Sequence, residues 1–201
     1  MKKLGFVFAM LVIALAATGA MAQTQNIGDN SYYFVTYYSN NVASAPDAVV
    51  RFINDGDGQV PEGAKVKSGS DLWAAFYVFD DSQELTECCA CDITADGILS
   101  EDVKTELTST PLTGKIPTRG VIKVISSASW DPTAPIPATG LRGTATHIQT
   151  AGKSSYATTE TAFADANLGQ AEFSLLPQLC YFADTLLSGV GCSCTPEDHD
   201  F

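Results

Sequence analysis

DLWAAFYVFDDSQELTECCACDITAD, residues 71–96, sets an apolar run against a cluster of three cysteines. In an extended chain Leu72, Ala74, Phe76 and Val78 fall on one face and Trp73, Ala75, Tyr77 and Phe79 on the other. A run that is apolar on both faces predicts a central strand, which Asp80 and Asp81 end. Cys88, Cys89 and Cys91 follow, and Cys180, Cys192 and Cys194 lie near the other end of the chain. In an exported protein six cysteines most simply make three disulfides. Vicinal closure and C-x-C closure both demand a tight ring, so the bonds should run between the two clusters. On a strand Cys89 and Cys91 share a face and Cys88 points the other way. Cys88 then suits Cys180 on a late helix, which leaves Cys89 and Cys91 for Cys192 and Cys194.

Export is expected from the start of the chain. Lys2 and Lys3 precede an apolar run over 4–17, and Ala20-Met21-Ala22 has the pattern of a cleavage site. Residues 1–22 are therefore read as a signal peptide, and 23–201 as a single secreted β-rich domain with a loose arm at 23–30 and an acidic tail at 195–201. The remaining 179 of the 201 residues suffice for one domain with a core. The formal charge of −12 becomes −14 without Lys2 and Lys3. Such a surface repels nucleic acid and anionic lipid, so neither is expected as a partner, nor is a membrane after cleavage.

Around the central strand the chain reads as further strands. Residues 31–39, SYYFVTYYS, are aromatic and β-branched on both faces. This segment is expected to be covered on both sides; its alternatives are an aromatic platform for sugar or a strand donated to a neighbouring subunit. Residues 48–54 and 120–126 are strands, and 98–108 is read as a strand from the alternation of Val103, Thr105 and Leu107. The Thr-rich segments 141–150 and 155–163 form a hairpin about Ala151-Gly152-Lys153. Residues 171–187 change to helical period, with Ser174 as N-cap, Pro177 in the first turn, and Gly189 and Gly191 at the end. The expected fold is mainly β: an antiparallel β-sandwich-like domain with one C-terminal α-helix, disulfide-clamped. Phe76, Val78, Val50, Phe52, Val121, Val124, Leu176 and Leu179 are expected in one core.

YVFDD (77–81), ECCAC (87–91), LTSTPLTG (107–114), GVIKVISS (120–127), Cys180 and GVGCSC (189–194) together resemble a family of uncharacterised exported bacterial β-rich proteins with paired CC-x-C and C-x-C cysteine clusters. The resemblance covers most of the chain after residue 48. It implies secretion and a common fold, and no activity.

Catalytic signatures are sparse. His147 and His199 are the two histidines, and no G-x-S-x-G, phosphate loop, dinucleotide fingerprint, zincin helix or helix-borne C-x-x-C is present. His147 is read as a structural histidine and His199 as part of a solvated tail. Asp55 and Asp57, in DGDG, and Asp92 and Asp96, in DITADG, are weak calcium candidates. Neither fits an EF-hand, because Ala64 and Val103 stand where the bidentate Glu belongs. Asp80, Asp81, Glu84 and Glu87 cluster at the end of the central strand. No catalytic, cofactor or metal residue is therefore singled out, and the expected function is a non-catalytic structural, assembly or surface-binding module, as a homo-oligomer or on a surface polymer. The alternatives are a secreted hydrolase that attacks carbohydrate through paired carboxylates and a thiolate metal-binding protein.

Overall fold

The apolar run 72–79 lies in β3 (Leu72–Asp80), second in a five-stranded sheet ordered β4-β3-β6-β1-β9. Its neighbours are β4 (Leu85–Ile93), β6 (Arg119–Ser127), β1 (Tyr33–Ser39) and the two-residue β9 (Ala164–Asp165). A second sheet is ordered β5-β2-β7-β8, from β5 (Ile98–Asp102), β2 (Val49–Asn54), β7 (Leu141–Thr150) and β8 (Tyr156–Ala162). Every pairing is antiparallel. One helix, α1 (Gln170–Leu186), covers the outer face of the first sheet. The computed structural model describes residues 31–40, 42, 44–60, 71–111, 114–152, 155–186 and 191–194. The expected signal peptide, the arm 23–30, the tail 195–201 with His199, and Gly189 lie outside them.

Two apolar layers result, and they explain why β3 is apolar on both faces. Between the sheets, Leu72, Ala74, Phe76 and Val78 pack with Val50, Phe52, Phe34, Ile122 and Val124. Phe52 is the hub of that layer, with ring contacts to Phe34, Phe76 and Phe163. Beneath the helix, Ala75, Tyr77, Tyr33 and Ile125 pack with Leu176, Cys180 and Ala183. Among the described residues no helix lies on the outer face of the second sheet, and β2 alternates: Val50, Phe52 and Asn54 are buried while Ile53 is exposed.

The single core expected from sequence is thus two cores. Leu176 belongs to the layer under the helix, and Leu179 only borders it. Val121 is corrected: it lies on the helix-side face, half-buried, and Ile122 takes the inter-sheet position beside Val124. In GVIKVISS one face is Gly120, Ile122 and Val124, and Val121 and Val124 fall on opposite sides.

Glycine enters where two rings lie flat on a strand. A Cβ at Gly120 would meet the carbonyl of Phe79 at 1.9 Å and the Tyr38 ring at 2.8 Å. A Cβ at Gly143 would meet the Phe52 ring at 2.5 Å.

Two local expectations change, and a third, the covering of the N-terminal strand, is met. β5 stops at Asp102, and the chain turns over 103–108, where the amides of Glu106 and Leu107 both reach the Asp102 carbonyl. Val103 and Leu107 are buried by that turn, four residues apart, rather than by a continuing strand. The helix begins at Gln170, with the Gly169 carbonyl accepting from Phe173 N–H, so Ser174 is not its N-cap and Pro177 sits in its interior. An interior proline costs about 3 kcal/mol. Leu176, Cys180 and Ala183 at helical spacing, the Glu172 carboxylate bound to Lys123 and Tyr33, and a disulfide offset it. Finally, the N-terminal strand is neither detached nor exposed: β1 pairs along its whole length with β6 and, at Phe34 and Val35, with β9. Only Tyr37 of its aromatic residues is exposed, so β1 offers neither a broad aromatic platform nor a strand to donate.

Candidate functional site

The cysteines form three bonds between the clusters: Cys88–Cys180, Cys89–Cys192 and Cys91–Cys194. The alternation along β4 sets the pattern. Cys88 faces outward to the helix, whereas Cys89 and Cys91 face inward and take the C-terminal segment. The two inward bonds lie side by side, with Cys89 Sγ 3.7 Å from Cys91 Sγ. Cys89, Cys91 and Cys194 are the sole grouping of three metal-ligating side chains at ligand distance among the described residues. All of their sulfurs are spent in bonds, so this oxidised protein offers no thiolate there. Three disulfides place the chain in an oxidising, non-cytoplasmic environment. Among the described residues no helix is long and apolar enough to cross a membrane.

Next to the clamp lies a buried carboxyl group that the sequence reading placed only within an acidic strand exit. Glu87 is fully buried, two residues before Cys89 on the same inward face. One oxygen accepts the Thr110 N–H, and the other has no partner among the described residues. Burial pushes its pKa up to about 7, against a smaller opposing effect of the Thr110 hydrogen bond. Nearby, the Tyr38 hydroxyl is also buried without a partner among the described residues, and burial with the charges of Asp80, Asp81 and Glu87 holds it protonated. Glu84, Asp80 and Asp81 do not join Glu87: Asp80 caps its own turn through Ser82 and Glu84 N–H, and Asp81 pairs with Arg119 at 2.8 Å. Thr110 also donates through its hydroxyl to the Gly191 carbonyl, and Ser193 N–H reaches the Glu106 carbonyl. Glu87 therefore holds the segment that in turn holds the clamped C-terminal strand of chain.

The two calcium-candidate stretches touch at Asp96 and Gly56, and no cluster of three carboxylates forms there among the described residues. Asp96 abuts Gly56, so that a Cβ there would meet its oxygen at 2.8 Å. Asp55, however, pairs with Arg142 at 3.2 Å and accepts the Asp57 N–H. A cavity of about 410 Å³ lies between the loop after β1 and the turn after β5, lined by Asn40, Val42, Asp47, Lys104, Thr105 and Ile148 among others. Asp47 is its one carboxylate, and both oxygens are occupied, by Asn40 and by the amides of Lys104 and Thr105. His147 is buried, shares a hydrogen bond with Thr161 Oγ1 at 2.7 Å and stacks on Tyr37; burial lowers its pKa, and its Nδ1 has no partner among the described residues.

One surface stands apart. All seven residues of β8 are exposed. It pairs with β7 on one side, and among the described residues no strand lies on the other. Ala151 N–H to Ser155 carbonyl and Phe163 N–H to Gly143 carbonyl bracket that ladder. Because hydrogen-bonded pairs alternate in an antiparallel ladder, Ala157, Thr159 and Thr161 bond to β7. Tyr156, Thr158, Glu160 and Ala162 then turn their N–H and C=O groups outward. The sequence marked this segment as a hairpin strand, and the Thr-rich, nearly uncharged pattern was the signal for an open edge. Compared with known protein families, curated proteins and solved structures, the chain matches none.

Proposed function

We propose that this chain is a secreted, non-catalytic β-domain with a structural, assembly or surface-binding role, belonging to a family of exported bacterial proteins with paired cysteine clusters. The observation that carries the proposal is β8: a fully exposed seven-residue strand whose outer edge no strand among the described residues covers, on a scaffold clamped by three disulfides. Natural proteins ordinarily blunt such an edge with charge, proline or a covering loop. Here the strand carries one charge, Glu160, and that charge is met by Arg51 at 3.4 Å. An unblunted edge on a persistent scaffold suits docking by strand addition, in which main-chain hydrogen bonds supply the affinity.

The hydrolase alternative needs two carboxylates in one cleft, one of them with a raised pKa. Glu87 has the raised pKa but lies inside the sandwich, and the cavity at Asp47 holds no second acid. Retention of the exported protein on its cell surface or matrix tests the proposal. Thr158→Pro, which removes one outward N–H and none of those facing β7, should release the protein into the medium. Unchanged retention, or hydrolysis of a polysaccharide or peptide in a substrate screen, would overturn it.

A further inference from the structure

We infer that the edge of β8 pairs with the β8 edge of a second copy, antiparallel about a two-fold axis through Thr159; this rests on the reading of β8 as the docking edge. The outward-facing residues, Tyr156, Thr158, Glu160 and Ala162, lie symmetrically about Thr159. A strand with that parity is its own complement. In this register Tyr156 meets Ala162, Ala157 meets Thr161, Thr158 meets Glu160, and Thr159 meets its own copy. The largest side chain lies opposite a small one, and the one carboxylate lies opposite a hydroxyl.

The neighbouring registers that keep donors facing acceptors are worse. A dyad at residue 160 sets the two Glu160 carboxylates against each other, and like charges directly opposite are destabilising. A dyad at 158 places Glu160 against Tyr156 and leaves Ala162 unpaired. The register through 159 keeps all seven residues in the ladder and joins the two four-stranded sheets into one of eight.

Charge favours a copy at this place over any other. The molecule carries a net charge of −12, so most approaches of two copies are repulsive. On β8 the Glu160 carboxylate is already held by Arg51 and by the hydroxyls of Thr144 and Thr146 on the outer sheet face. The edge is thus a locally neutral strip on an acidic body. The pairing is isologous and closed, so it stops at a dimer, which meets a surface with two copies at once and is held there more tightly than the monomer that Thr158→Pro leaves.

Sedimentation of the exported, oxidised protein up to about 0.5 mM, a range that detects weak association, provides the test. The wild type should form a concentration-dependent dimer, and Thr158→Pro should weaken its dissociation constant at least tenfold with the monomer's melting temperature unchanged. Thr159 faces its copy as a non-hydrogen-bonded pair, where Cα atoms come within about 4.5 Å, so Thr159→Cys should cross-link two copies on mild oxidation. A wild type that stays monomeric, or a dimer unaffected by Thr158→Pro, overturns the inference, and a dimer without a 159–159 cross-link overturns the register. A monomeric wild type whose Thr158→Pro variant still loses surface retention would sink self-pairing while sparing β8 as a docking edge for another partner.

Discussion

β4 and β8 are both edge strands, one in each sheet, and they are treated in opposite ways. β4 is buried at seven of its nine residues and carries three cysteines. A helix is bonded to its outer face, and a C-terminal segment is bonded twice to its inner face. β8 is exposed throughout, has no cysteine, and carries no cover among the described residues. The difference teaches that the covalent investment lies where an edge would otherwise be open beside the core. Of these two edges, the one left uncovered among the described residues is the one whose side chains do not pack in the core, so pairing at β8 costs the core nothing.

The largest effect should come from the layer behind β4. Phe76 is fully buried beside Phe52 and opposite Cys89 in the ladder. Phe76→Ala should lose about 3–5 kcal/mol in denaturant melts. A loss below about 1 kcal/mol would mean that the clamps, rather than the core, carry this end of the sandwich.

Removing the outward clamp comes next. Cys88 and Cys180 close a loop with a sequence separation of 92. A lone bond of that span would contribute roughly 4–5 kcal/mol by the chain-entropy model. The two inward bonds already restrain the same chain, so Cys88→Ala with Cys180→Ala should cost less, about 1–3 kcal/mol. Proteolysis should then begin in α1, whose interior Pro177 has lost the bond that offset it. Cleavage starting instead in β8 would reverse the ranking of the two edges.

How much of this was legible follows from period and from parity. The strands β3, β6, β7 and β8 and the cross-cluster disulfides were legible because alternation fixes which cysteine faces which layer. The helix start and the end of β5 were not. Each is decided by tertiary contact: Glu172 bound to Lys123 and Tyr33 in one case, and the Asp47 carboxylate accepting the Lys104 and Thr105 amides in the other. The covering of β1 was foreseen from its two apolar faces, but the partner β9 is two residues long and leaves no periodic signal. Glu87 read as one more acid in an acidic segment, since nothing local shows that the inward face of β4 continues past Cys89.

That buried acid makes the clamped end pH-sensitive. The folded-state pKa of Glu87 is about 7 against an ordinary 4.5. The raised value means that the folded protein holds the proton more tightly than the unfolded chain. Its contribution to stability is therefore full below about pH 4.5 and is lost as pH rises through 7. Between pH 5.5 and 8.5 the loss should be about 2 kcal/mol, and Glu87→Gln should remove most of that slope. Urea melts of both proteins across that range measure it. An identical slope in the variant would show that the general acidity of the surface, and not the buried carboxyl, sets the trend.

The smallest effect lies at the open edge, and it tests the parity on which the contrast stands. Thr158 N–H points away from β7, and Thr159 N–H points toward the His147 carbonyl. In dilute solution Thr158→Pro should change monomer stability by no more than about 0.5 kcal/mol. Thr159→Pro removes a ladder bond and should cost about 1–3 kcal/mol. Amide exchange reads the same alternation without any substitution. The amides of Tyr156, Thr158, Glu160 and Ala162 should exchange freely in dilute protein, while those of Ala157, Thr159 and Thr161 are protected. At high concentration the first set should become protected too, because the only change available to outward amides is a new acceptor. Alternate amides that fail to differ at low concentration would mean that β8 frays as a unit, and the open edge would then be a weakly held flap instead of a rail.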